Sequence, residues 1–170
     1  VLHRDLKPSN VIVDEADEPH VTDFGLAKVQ DDLGSHTLTG SVLGSPAYMS
    51  PEQALGETRA IGPASDVYSL GAILYELLAA RPPFQGSNAA SVIEQVKTSE
   101  PIPLRRLNDA IPADLEKICL KCLEKEPGRR YASAGDLAVD LGRFLRGEPV
   151  QARAIGWAGR SWRWARRHPL

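Results

Sequence analysis

The sequence predicts a mainly α-helical fold with one small β-hairpin. Its second half contains stretches with helical spacing of apolar residues and recognisable helix ends. Near the start, two short β-branched runs are separated by a polar turn. The length of 170 residues suits one domain with a hydrophobic core, or a large part of a bigger domain.

The hairpin is predicted from residues 11–13 ("VIV") and from a second run that begins at residues 21 and 22. The polar segment 14–20 ("DEADEPH") between them is typical of a turn. From residue 25 to about residue 50 no period is visible, and Gly, Ser and Thr dominate, which predicts a loop. Loops of this length are usually functional or disordered.

Residues 64–80 are apolar nearly all round, which predicts a buried central helix. Ser87 or Asn88 is a candidate N-cap for the next helix, and Pro112 lies near the first turn of the one after it. The last helix starts with a serine cap and stops at a glycine. The later predicted helices span residues 87–99, 112–125 and 133–147.

Composition excludes several classes of protein. The net charge is −2, so bulk electrostatics point to no partner, and nucleic-acid binding is not expected because the chain as a whole is not basic. No apolar run is long enough to cross a bilayer, and the opening "VLHRDLK" lacks the apolar region of a signal peptide. The only cysteines, Cys119 and Cys122, cannot complete a four-ligand zinc site, so we expect two buried thiols.

The stretch "HRDLKPSN" at residues 3–10 carries the polar chemistry. Asp5 can accept a proton or orient a hydroxyl, and Lys7, two residues on, can neutralise charge on a phosphoryl group. Asn10 offers an amide oxygen suited to Mg²⁺, and Asp23, at the end of the second strand, is a candidate second ligand. A base, a cation and two oxygen ligands predict phosphoryl transfer.

Motifs in the right order and spacing resemble those of the eukaryotic-type protein kinases. The resemblance covers residues 1 to about 146 and implies the C-terminal lobe of that fold, leaving residues 147–170 as a basic, Trp/Arg-rich tail. The motifs are "HRDLKPSN" (3–10), "DFG" (23–25), "SPE" (50–52), "SDVYSLGAILYELLAARPPF" (65–84) and "EKEPGRRY" (124–131).

The resemblance implies a role for each motif residue. Asp5 is the catalytic base, Lys7 contacts the γ-phosphate of ATP, and Asn10 and Asp23 hold Mg²⁺, with Mn²⁺ as an alternative. Two valines are implied to lie under the adenine ring: Val11 and Val13. The supporting residues are implied to be the contact pair His3 and Phe24, the loop anchor Asp66, and the buried ion pair Glu52 and Arg130.

A lysine two residues after the base is typical of kinases that phosphorylate Ser or Thr, so protein substrates with these residues are the implied partners. Ser45 keeps the hydroxyl of a Thr that this type usually carries. Gly25 completes "DFG", and the activation loop is expected from about residue 26 to residue 49. A phosphate there would dock on Arg4; the alternative is that the candidate sites, Thr37, Thr39 and Ser41, are only solvated hydroxyls.

No G-x-G-x-x-G occurs, and neither the strand Lys nor the helix Glu of the smaller lobe is found. The chain is therefore expected to be a C-terminal-lobe fragment, inactive alone, from an active parent that supplies the N-terminal lobe. The alternative is a pseudokinase or substrate-docking lobe without catalysis, against which the intact Asp5, Lys7, Asn10 and Asp23 speak.

The segments "GSPAYMSPEQALG" and "FLRGEPVQAR" resemble bacterial receptor-type Ser/Thr kinases. In that type a basic, Trp-bearing stretch often leads into a membrane span. We therefore expect a cytoplasmic lobe whose parent is anchored by a span beyond Leu170. The tail itself is interpreted either as a helix at the membrane surface or as a flexible linker.

Overall fold

A computed structural model describes residues 2–24 and 45–152, and within these ranges it is mainly helical with a two-stranded antiparallel sheet. This confirms the predicted fold class. The strands are β1 (Val11–Val13) and β2 (Pro19–Val21). The helices are α1 (Pro51–Ala54), α2 (Pro63–Ala79), α3 (Ala89–Thr98), α4 (Leu104–Leu107), α5 (Ala113–Cys122) and α6 (Ala134–Leu145), with 3₁₀ turns at Pro8–Asn10, Ser45–Tyr48, Thr58–Ala60 and Pro127–Arg129.

The hairpin is tighter than the sequence predicts. β2 starts at Pro19, opposite Val13, two residues before the predicted start of the second strand. The reason is an aspartate-stabilised turn: Asp14 Oδ1 accepts the backbone N–H groups of Ala16 at 2.9 Å and Glu18 at 3.0 Å. Because one side chain closes the turn, fewer residues are needed to reverse the chain.

The central helix α2 buries one face completely. Val67, Tyr68 and Tyr75 have no solvent exposure, and α2 packs against α5, with Gly71 in close contact with Cys122. The predicted burial of this helix holds for that face only, since Leu77 is apolar but 78% exposed.

Side-chain caps set the starts of the later helices. Asn88, rather than Ser87, caps α3 by accepting the N–H of Ser91 at 2.8 Å, and Ser133 accepts the N–H of Asp136 at the start of α6. α5 ends at Cys122, three residues before the predicted end. The carbonyls of Glu124 and Lys125, which follow this helix, accept hydrogen bonds from the Arg130 guanidinium, as described below.

The packed unit continues past position 146. The buried Asp140 carboxylate accepts the N–H groups of Gln151 at 2.6 Å and Ala152 at 3.0 Å, and the Tyr131 hydroxyl at 2.7 Å. These bonds hold residues 150–152 against α6, and Ala152 is buried. None of the helices in the two described ranges combines the length and the apolar content needed to cross a membrane. The Trp/Arg-rich part of the tail lies outside the described residues.

Candidate active site

The loop that carries Asp5 is anchored on the first turn of α2. Asp66 accepts the backbone N–H of His3 through Oδ2 and that of Arg4 through Oδ1, both at 2.8 Å. Arg4 has a φ of 70°, which costs a non-glycine residue about 1–3 kcal/mol. Bonds from a carboxylate to backbone N–H groups are strong, so they offset this strain and fix the loop on α2.

His3 joins the loop to the end of the hairpin. Its Nε2 donates to the Thr22 carbonyl at 2.7 Å, and its Nδ1 accepts the N–H of Asp5 at 3.3 Å. One imidazole tautomer, with the hydrogen on Nε2, satisfies both bonds. The His3 and Phe24 rings lie 5.0 Å apart and are tilted by 52°. Phe24 is 55% exposed, so this contact lies at the surface of the described residues rather than in a closed core.

Two polar side chains contact Asp5. Lys7 Nζ lies 2.8 Å from Asp5 Oδ2, and both side chains are partly exposed. Asn10 is buried, and its Nδ2 donates to the Asp5 carbonyl at 2.8 Å. That bond sets the orientation of the Asn10 amide and leaves Oδ1 as the atom able to bind a cation. Among the described residues, Oδ1 has a long 3.5 Å contact with the Ser9 hydroxyl.

The hairpin places Asp23 at the same end of the two-stranded sheet as Asn10. Thr22 donates its N–H to the Asn10 carbonyl at 2.9 Å. Thr22 therefore lies opposite Asn10, and Asp23 is the next residue along the chain. Asp23 has a φ of 60° and is exposed. An amide oxygen and a carboxylate are ligand types that fit Mg²⁺, which proteins commonly hold with one or two carboxylates and substrate phosphates. Residues 2–24 and 45–152 contain no cluster of three His, Cys, Asp or Glu that could hold a metal by itself.

The predicted adenine-facing valines lie on β1. Val11 and Val13 share one face of the strand because they are two residues apart. Val11 is half-buried and Val13 is 58% exposed, while Ile12 on the opposite face is 57% exposed. The hairpin therefore presents open apolar surface next to the polar cluster.

Glu52 and Arg130 form a buried bidentate ion pair, with both N–O distances at 2.8 Å. Arg130 also donates to the carbonyls of Ala64, Glu124 and Lys125, and these bonds end α5 and anchor the loop after it. Each remaining donor direction of the guanidinium thus has a carbonyl partner, which a buried charge requires.

The protonation of Glu52 depends on these contacts. Burial raises the pKa of its carboxyl, but hydrogen bonds from Arg130 and from the Ser65 hydroxyl, at 2.6 Å, outweigh it and hold the pKa below its usual value. Glu52 is therefore charged in the folded protein, and α1 is fixed between α2 and the loop that follows α5.

Other predicted residues are only partly described. The backbone of Ser45 begins the turn Ser45–Tyr48, but its side chain is not described. The Arg4 residue is exposed. Gly25 and the candidate phosphorylation sites, Thr37, Thr39 and Ser41, lie outside the described residues.

Two polar contacts near the site were not predicted. Gln53 bridges Ser50 and the Arg4 carbonyl, and the Tyr48 hydroxyl donates to Glu76. "SPEQ" at residues 50–53 has the S-x-x-Q spacing of a helix capping box, a signal that could have identified Gln53. Burial is the larger cause, and the hydrogen bond to Glu76 the smaller cause, of a raised pKa of Tyr48. This hydroxyl therefore keeps its proton and stays a donor.

Comparison with known proteins agrees with the geometry. The protein kinase domain model matches residues 1–138. The serine/threonine-protein kinase PknB of Mycobacterium tuberculosis is 42% identical over 156 residues, which cover 91% of this chain and 25% of that protein. PknB of Mycobacterium leprae is 41% identical over 155 residues, with the same coverage. A probable serine/threonine-protein kinase of Streptomyces coelicolor is 41% identical over 155 residues, covering 91% of this chain and 23% of that protein.

The chain thus spans about a quarter of the length of these curated relatives. Its matched region contains the anchored loop, the hairpin and the buried ion pair described above. The chain belongs to the protein kinase domain family.

Proposed function

We propose that this chain forms the catalytic C-terminal lobe of a kinase that transfers phosphate from ATP to Ser or Thr hydroxyls of proteins. The observation that carries the proposal is the grouping of Asp5, Lys7 and Asn10 on one loop that is bonded to the end of the hairpin before Asp23. The kinases of similar sequence are named serine/threonine-protein kinases, which supports the substrate class.

In this proposal Asp5 orients the attacking hydroxyl and accepts its proton. Lys7 balances the Asp5 carboxylate and contacts the transferred phosphoryl group. Asn10 Oδ1 and the Asp23 carboxylate would hold Mg²⁺, which supplies neutralisation of phosphate charge. The bonds of Asp66 and His3 to the loop keep these groups in place, so little reorganisation is needed during transfer.

We also propose that activity needs a covering lobe. Val13, on the proposed adenine-facing side of β1, and Phe24 are each more than half exposed, and an adenine ring requires apolar contact on both faces to leave water. Residues 1–170 alone are therefore expected to bind Mg²⁺-ATP weakly and to transfer no phosphate. A cytoplasmic location, with the Trp/Arg-rich tail at a membrane surface, stays part of the proposal.

The test is phosphate transfer by the complete gene product to three peptides that differ only in carrying Ser, Thr or Tyr. We expect transfer to the Ser and Thr peptides and its loss, by at least about a thousandfold, in Asp5→Asn. Asp109→Asn, which changes an exposed aspartate in the loop after α4, is the matched control and should keep activity. No transfer by the unsubstituted protein would favour the pseudokinase alternative, and transfer to Tyr alone would contradict the substrate class.

A further inference from the structure

The peptide group that joins Arg4 to Asp5 is held at both ends. On one side the Asp5 N–H donates to His3 Nδ1 at 3.3 Å. On the other side the Arg4 carbonyl accepts a bond from Gln53 Nε2 at 2.7 Å. The orientation of this peptide sets the direction of the Asp5 side chain, because it fixes the backbone directly before that residue.

Gln53 is itself held in position by the segment that contains it. Its Oε1 accepts the backbone N–H of Ser50 at 3.1 Å and the Ser50 hydroxyl at 3.0 Å. Ser50 is fully buried. The neighbouring Glu52 is fixed by its two bonds to Arg130. The amide of Gln53 thus joins a rigid segment to the strained residue before the proposed base.

We propose that Gln53 is a positioning residue for phosphoryl transfer: it aligns Asp5 by holding the Arg4 carbonyl on helix α1. Asp66 binds only the N–H side of Arg4, so the peptide after Arg4 is restrained by the long 3.3 Å bond from the Asp5 N–H to His3 and by the shorter 2.7 Å bond from Gln53. The left-handed φ of 70° at Arg4 makes the short bond from Gln53 important, since a non-glycine residue relaxes from that conformation when its restraints are weakened. This inference rests on the proposed function.

Two substitutions separate the two halves of the Gln53 amide. Gln53→Glu keeps the acceptor for Ser50 but removes the donor to the Arg4 carbonyl. Gln53→Met removes both while keeping the length of the side chain. A matched control is Gln95→Met on α3, because Gln95 Nε2 also donates to a backbone carbonyl, that of Gln85, at 2.7 Å but away from the catalytic loop.

The experiment measures kcat and KM for a Ser peptide, the dissociation constant of Mg²⁺-ATP and the melting temperature, all in the complete gene product. We expect kcat to fall about tenfold in both Gln53 variants, with nucleotide affinity unchanged and Gln95→Met equal to the unsubstituted protein. The melting temperature identifies any variant that fails to fold, and the other Gln53 variant then decides.

Each remaining result overturns the inference. Normal kcat in Gln53→Glu alone would limit Gln53 to capping Ser50, and a fall in Gln53→Glu alone would reflect its added charge. Equal losses in Gln95→Met would show a general effect of destabilisation. Normal transfer by both Gln53 variants overturns this inference while leaving the proposed function standing, whereas no transfer by the unsubstituted protein overturns both.

Discussion

Glu52 and Arg130 lie 78 positions apart in the chain and form one of its most buried polar contacts. The side chain of Arg130 is fully buried and that of Glu52 is 3% exposed. The pair joins α1, the start of α2 and the loop after α5, and Gln53 extends this connection to the catalytic loop. The position of the proposed base therefore depends on a contact far from it in sequence.

Glu52→Gln should strongly destabilise the lobe. The substitution leaves the Arg130 guanidinium buried without a counter-charge, which costs about 3–5 kcal/mol. Native-state hydrogen exchange of the α2 amides, in the complete gene product, reports the opening free energy of this region even inside a longer protein. The control is Glu126→Gln, which breaks the exposed pair between Glu126 and Arg129 and should change that value by less than about 1 kcal/mol. Equal effects of the two substitutions would contradict the importance of the buried pair.

The same pair predicts a dependence on acid. The folded-state pKa of Glu52 lies below its ordinary value of 4.5, so the stabilisation is fully present above that value and is lost as the pH falls through the lowered pKa. The opening free energy of the unsubstituted protein should decrease from about pH 5 to about pH 3. In Glu52→Gln the slope should be shallower, because the titrating carboxyl is gone; a slope of equal steepness would show that other groups are responsible.

Gly71 allows α2 to approach α5. A Cβ at this position would contact the Cβ and backbone of Cys122, which cannot move aside as a flexible side chain can. We expect Gly71→Ala to lower the opening free energy of α2 by about 1–3 kcal/mol, despite the better helix propensity of alanine. Gly128→Ala is the control, since nothing lies within 4 Å of its Cβ, and it should have little effect. A stabilised Gly71→Ala variant would contradict the close contact.

Local signals were sufficient to predict much of this fold. The period of α3, the serine cap of α6 and the β-branched residues of β1 depend on neighbouring residues, so the sequence contains them directly. The motifs also indicated Asp5 and Asn10 as candidate site residues, because a family resemblance identifies positions without any knowledge of geometry. Boundaries were less accurate: β2 begins early because Asp14 closes the turn.

Long-range contacts were harder to predict. Asp140 reads as an ordinary helix residue in sequence, yet it binds the backbone of residues 151 and 152. Gln53 contacts Arg4 across 49 positions, and only its bond with Ser50 has a local pattern. Such contacts depend on how elements pack, which local periodicity does not specify.

The central claim is that Asn10 and Asp23 hold one metal ion beside Asp5. It is tested most directly by calorimetric titration of ATP into the complete gene product, with Mg²⁺ present and with the metal chelated. We predict that Mg²⁺ tightens ATP binding in the unsubstituted protein and that Asp23→Asn removes most of this difference without changing binding in chelator. An Asp23→Asn variant that keeps the full effect of Mg²⁺ would contradict the claim.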